Sequence, residues 1–124
     1  MKKEIAKQYI EFLSKDHFEG IIGLFEENGK VYSPIYGERS ASDFYDALAE
    51  DTCNSELKLN EIFENINSGN IALYFTYRWT LKSGKIVVFD VVDIIKFDDQ
   101  NKILELKIIY DTVVSRNLVE ELKK

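Results

Sequence analysis

The chain has 124 residues, a length at which one domain with one hydrophobic core is expected, spanning residues 1–124. Apolar residues make up 45% and charged residues 31% of it, a balance that excludes a disordered or collagen-like chain. The net charge of −6 repels phosphate backbones and anionic membranes, so neither nucleic acid nor a membrane is an expected partner.

A single cysteine, Cys53, and a single histidine, His17, exclude an internal disulfide, a Cys-rich zinc site and most His-based metal sites. No metal and no cofactor is therefore expected, and a reducing, cytoplasmic location is the default. The N-terminal Met1-Lys2-Lys3-Glu4 interrupts with charge the stretch where a secretion signal needs an apolar core. The most apolar run, Ile86 to Ile95, carries Asp90 and Asp93 and is about half the length of a membrane span.

Taken in order, Ile5, Tyr9, Phe12 and Leu13 fall at helical spacing and predict a first helix over residues 3 to 14. Asp16 and Glu19 make a capping box ahead of Ile21, Ile22, Leu24 and Phe25, which predicts a second short helix closed by Asn28-Gly29. A short strand is expected at 30–33, broken by Pro34 and Gly37, and Ser40 or Ser42 caps a third helix carrying Phe44, Tyr45 and Leu48. From Ser55 onward the period becomes two, with turns near Asn67-Ser68-Gly69, Ser83-Gly84 and Asp98-Asp99, the pattern of a four-strand meander. The second of these strands puts Ile71, Leu73, Phe75, Tyr77 and Trp79 on its inner face. The last is expected to turn Leu104, Leu106, Ile108 and Tyr110 inward. The third is apolar on both faces, so its back, Val88, Val92 and Ile94, needs a cover, and an identical subunit supplies one. A homodimer across the outer sheet face is the expectation. The C-terminal residues 119–124 are expected to extend the last strand or cover an edge.

Asp93, between Val91 and Ile95 on the inward face, aims a carboxyl at an apolar interior. Desolvation raises the pKa of such a group, and a neutral carboxylic acid can donate a hydrogen bond to a developing oxyanion. A buried aspartate satisfied by a backbone amide or a tyrosine is the alternative reading. Tyr9, on the buried stripe of the first helix, needs an internal partner for its hydroxyl, and Asp93 or a ligand oxygen serves. Phe12, Tyr32, Ser33, Phe44, Phe75, Tyr77, Trp79, Phe89 and Tyr110 are the candidate walls of a pocket for an apolar ligand.

The segments Lys7-Gln8-Tyr9, Asp16-His17-Phe18-Glu19-Gly20-Ile21-Ile22-Gly23-Leu24-Phe25, Lys30-Val31-Tyr32-Ser33-Pro34 and Asp93-Ile94-Ile95-Lys96-Phe97 together resemble the nuclear transport factor 2-like (NTF2-like) superfamily, and within it SnoaL-like and ketosteroid isomerase-like proteins. The resemblance covers nearly the whole chain. It implies an α+β fold, a cone-shaped barrel in which three helices pack on a strongly curved, mostly antiparallel sheet, usually as a dimer. It puts Tyr9 at the place of the isomerase's oxyanion tyrosine and Asp93 at that of its protonated aspartic acid. Ser33 stands where the isomerase has its proton-shuttling aspartate, and a serine hydroxyl is too weak a base for that step. What the resemblance implies is thus a small-molecule pocket protein, with an isomerase, cyclase or dehydratase activity next to a carbonyl open to it. The alternative is a non-catalytic dimerisation or protein-interaction module with a filled pocket.

Overall fold

The apolar stripe of the N-terminal segment winds into helix α1, Lys2–Ser14, burying Ala6, Tyr9 and Leu13, in a computed structural model that describes residues 1–124. The helix stops in a Schellman turn, in which the His17 amide donates to the Phe12 carbonyl (2.8 Å) and the Asp16 amide to that of Leu13 (3.1 Å). Asp16 holds the left-handed position of this turn at φ 54°, where glycine is the usual occupant. It therefore ends α1 and does not cap the next helix. Helix α2, Phe18–Ile22, begins at His17 without a side-chain cap. The expected capping box is not formed.

Strand β1, Phe25–Ser33, starts well before the expected short strand, so Asn28-Gly29 lies inside a strand instead of closing a helix. The strand bulges between Phe25 and Lys30 as it pairs in parallel with β6, Ile103–Ile109. Gly29 permits this bulge: a Cβ there would lie 2.8 Å from the Phe25 ring, 2.9 Å from the Glu26 carbonyl and 3.0 Å from that of Ile103. A tight turn leads to β2, Gly37–Ser40. The Ser40 hydroxyl then accepts the Asp43 amide (3.1 Å) and caps helix α3, Ala41–Asp51.

The meander follows as β3, Thr52–Glu64, β4, Ile71–Leu81, β5, Ile86–Phe97, and β6. The six strands run in the order β2-β1-β6-β5-β4-β3, and only the β1–β6 pair is parallel. Register shifts in β1, twice in β3, and between Lys96 and Phe97 add local twist and bend, and the sheet curls around α1, α2 and α3. The fold is the α+β cone expected from the sequence. Every odd residue of β4 from Ile71 to Leu81 is buried. In β6 the shift beside Phe97 turns Ile103 inward and leaves Leu104 42% exposed, contrary to the expected alternation, whereas Leu106, Ile108 and Tyr110 face inward as expected.

The C-terminal segment neither extends a strand nor caps an edge; it is a fourth helix, α4, Val113–Leu122, burying Ser115 and Val119. Three polar ties fasten it: Arg116 Nη2 to the Pro34 carbonyl, Lys85 to Glu121, and Lys123 Nζ to Asp51 Oδ1 at 2.7 Å. No helix is long and apolar enough to cross a membrane.

Replacing Gly29 with alanine forces backbone, not a flexible side-chain end, to move. The expected outcome is a loss of roughly 1–3 kcal/mol of stability, read as a lower urea midpoint with an unchanged slope. An unchanged midpoint would show that the bulge relaxes freely.

Candidate functional site

Strand β5 runs between β4 and β6, and it turns Val87, Val91, Asp93 and Ile95 toward the helices. Asp93 is 1% exposed, and its Oδ1 has no hydrogen-bond partner. It lines a cavity of about 40 Å³ together with Tyr9, Leu13, Ser33, Phe44, Leu48, Phe75, Tyr77, Trp79, Phe89, Val91, Ile108 and Tyr110. Burial in this apolar wall raises the Asp93 pKa from 3.8 to about 8, while the nearby Tyr9 hydroxyl draws it partly back. The group is thus mostly a neutral acid at neutral pH, able to donate.

Tyr9 is 1% exposed, and burial, with Asp93 beside it, raises its pKa well above the ordinary phenol value. Its oxygen accepts a hydrogen bond from Tyr45 at 3.1 Å, which leaves its own proton free for Asp93 or a ligand. Tyr45, on α3, is fully buried and packs edge-on to Phe44. It shares the apolar face of α3 with Phe44 and Leu48 but stands behind the cavity lining, where its hydroxyl serves Tyr9.

The aromatic walls are paired. Phe89 stacks on Tyr110 with ring centroids 4.5 Å apart, Tyr77 lies parallel to Trp79 at 6.4 Å, and Tyr77 meets Phe89 edge-on at 5.5 Å. Trp79 donates to the Thr52 hydroxyl (2.8 Å), which donates to the Leu48 carbonyl (2.6 Å). The Tyr77 hydroxyl bonds to that of Ser55 at 2.7 Å. These polar tips are engaged, so the wall facing the cavity is apolar.

Of the eleven candidate residues, the structure brings nine to the cavity: Tyr9, Asp93, Ser33, Phe44, Phe75, Tyr77, Trp79, Phe89 and Tyr110. Tyr32 is not among them. Successive residues of a strand point to opposite faces, and since Ser33 faces in, Tyr32 faces out, where Glu38 and Glu105 raise its hydroxyl pKa. Phe12 is also absent, because its ring is taken up edge-on by His17 at 5.0 Å. Leu13, Leu48, Val91 and Ile108 complete the lining.

Three further groups bear on proton transfer. The Ser33 hydroxyl accepts from the Ile35 and Tyr36 amides, both at 3.2 Å, so it holds the turn after β1. Asp90 is on the outer face, accepting from Thr76 at 2.9 Å. Asp16 does not line the cavity; its Oδ1 is buried without a partner. No group of His, Cys, Asp and Glu is arranged to hold a metal ion.

No family model matches the sequence, and no curated protein matches it. Solved structures match it closely in shape. The epoxide hydrolase/cyclase-like enzyme SalBIII, with a role in pyran ring formation in the polyether salinomycin, superposes with a TM-score of 0.77 at 14% identity, over 89% of this chain and 90% of its own. TerC, co-crystallised with polyporic acid, gives 0.79 at 18%, over 96% and 98%. An NTF2-like protein of unknown function from Burkholderia pseudomallei gives 0.81 at 14%, over 95% and 96%. The chain has the NTF2-like fold.

The raised pKa of Asp93 sets a pH dependence. Between 3.8 and about 8 the folded chain keeps a proton that the unfolded chain has lost, so this contribution is complete below the window and is lost as pH rises through it. The slope is about 1.4 kcal/mol per pH unit within the window. Asp93→Asn stays neutral and lacks this slope. Urea midpoints across the window should therefore fall for the wild type relative to the variant, and parallel profiles would exclude a proton held on Asp93.

Proposed function

We propose that this protein binds a small apolar molecule carrying a carbonyl or phenolate oxygen, which receives hydrogen bonds from Tyr9 and Asp93. The observation that carries the reading is the unpartnered Oδ1 of Asp93, buried in an aromatic-lined cavity. A buried polar atom left unsatisfied costs about 1–3 kcal/mol, and a ligand oxygen relieves that cost. The pair supports oxyanion stabilisation, the requirement shared by isomerases, cyclases and dehydratases that move a proton next to a carbonyl. SalBIII, with its role in pyran ring formation, and TerC, with its bound polyporic acid, are in keeping with small-molecule chemistry on this fold. Ser33 is committed to its turn, so this cavity supplies donors without the usual carboxylate base. Binding and polarisation of the ligand is thus the function favoured here.

At about 40 Å³ the cavity has room for only about two or three waters. A ring-sized ligand therefore requires side chains of the aromatic wall to move aside. Titration with nitrophenols of graded acidity, followed by ligand absorbance and Trp79 fluorescence, tests the reading. Saturable binding is expected, weakened roughly tenfold in Tyr9→Phe and in Asp93→Asn. Unchanged affinity in both variants would refute it.

The smallness of the cavity also favours a second reading, a module that dimerises with its pocket filled. The outer face of β5 and its neighbours presents Ile86, Val88, Leu104 and Ile109, each 42–58% exposed, beside half-buried Val92 and Ile94. Val92 is paired with Ile109 and Tyr74 across the ladders, and on this face of β5 only Asp90, held by Thr76, separates Val88 from Val92. A second copy of the chain covers it in this reading. Sedimentation should give a dimer at micromolar concentration and a monomer for Val88→Glu; a monomeric wild type would exclude this interface.

A further inference from the structure

A groove outside the cavity, about 280 Å³, runs between α4 and the turn after β1. Its apolar floor is Ile35, Tyr36 and Val119, and Arg39, Arg116 and Lys123 rim it against one acid, Glu120. In a chain of net charge −6 such a cluster is locally opposite to the whole. Lys123 is already paired with Asp51 at 2.7 Å. Arg39 and Arg116 pair with no carboxylate: Arg39 donates to the Tyr36 carbonyl and lies 5.8 Å from that ring's centroid, and Arg116 donates to the Pro34 carbonyl. Each guanidinium has donors to spare, and bidentate recognition of a carboxylate is what such a fork suits. Arg39 also borders an acidic groove containing Glu38, Asp43, Asp46 and Glu50, which leaves Arg116 as the principal cation.

The groove and the cavity are lined by neighbouring residues of the turn after β1, Ser33 on the cavity and Ile35 and Tyr36 on the groove. Pro34, which holds Arg116, follows the cavity residue Ser33. Tyr110, another cavity residue, has its pKa raised by burial and lowered by the charge of Arg116, so this cavity phenol is within electrostatic reach of the groove's principal cation. We infer that Arg116, assisted by Arg39, binds the carboxylate of an amphipathic organic acid whose phenolic or carbonyl end reaches Tyr9 and Asp93. The inference rests on the proposed oxyanion-binding cavity and specifies the class of ligand it takes.

Two chromophoric probes separate the two ideas: a nitrocresol, and the hydroxynitrophenylacetate that carries a carboxylate in place of one methyl hydrogen. At low ionic strength the wild type should bind the acid roughly three- to tenfold more tightly than the cresol, the range of one or two partly exposed ion pairs. The preference should shrink with added salt, vanish in Arg116→Gln, fall in Arg39→Gln and survive in Arg116→Lys, with cresol affinity unchanged in all three. Cresol binding without any preference for the acid overturns the inference and leaves the cavity reading standing. Acid binding lost in Arg116→Gln but untouched by Asp93→Asn removes the cavity reading and overturns the inference with it, leaving a surface anion site alone. Binding of neither probe overturns both.

Discussion

The site depends on the cost of ionising Asp93. Its strand is paired on both sides, with Leu73 opposite it on β4 and Ile108 opposite it on β6, so the backbone amides around it are committed to the ladders. The helices facing it contribute Tyr9, Leu13, Phe44 and Leu48, which offer one hydroxyl and otherwise hydrocarbon. A carboxylate there would have almost no donors, and the proton it keeps makes the group a donor instead. The aromatic wall is thus part of the chemistry, because desolvation accounts for most of the shift.

Curvature makes that desolvation possible. A flat sheet would leave the front of β5 open to solvent, whereas the bulges in β1, β3 and beside Phe97 bend the sheet around α1 and α3. The same bend determines what the other side becomes. Residues driven outward by the shifted phase, Leu104 among them, join Val88 and Ile109 in an exposed apolar stripe. A concave pocket and a convex face with exposed apolar residues are two results of one deformation, so the two proposed readings do not compete for the same surface.

Strict alternation was legible wherever the ladder is regular. Strand β4 pairs without a break along β5, and its odd residues are all buried as the sequence pattern implies. Where a bulge adds a residue, the pattern loses its phase: Leu104 reads as inward only if the pairing of Lys96 and Phe97 were continuous. The exclusion of Tyr32 needs only the period of two, since neighbouring residues of one strand, Tyr32 and Ser33, cannot both face the cavity. Phe12 and Tyr45 exchange roles for a reason no periodicity contains. Both are on buried helical faces, but His17 folds back over Phe12 while Tyr45 reaches across to Tyr9. Asp16 looked like a cap from its spacing to Glu19, and the Schellman turn took it instead, because α1 ends two residues before it. The C-terminal helix was hidden for another reason: its apolar positions, Leu118, Val119 and Leu122, are few, and long-range ties to Pro34, Lys85 and Asp51 fasten it.

Two aspartates make the contrast that gives the cavity its meaning. Asp51 and Asp93 are 2% and 1% exposed, equally withdrawn from water. Both oxygens of Asp51 are engaged, one by the Tyr36 hydroxyl at 2.6 Å and the other by Lys123 at 2.7 Å, and the second partner comes from the far end of the chain. This fold therefore recruits donors over long sequence distances to satisfy a structural carboxylate. No such recruitment serves the Oδ1 of Asp93. Tyr9 stands beside the carboxyl and draws its pKa partly back, but the Tyr77 hydroxyl, also on the cavity wall, is bonded to Ser55. A carboxyl oxygen left unpaired in a fold that satisfies its other buried aspartate so fully, at the wall of an aromatic cavity, is the feature on which the proposed ligand oxygen rests.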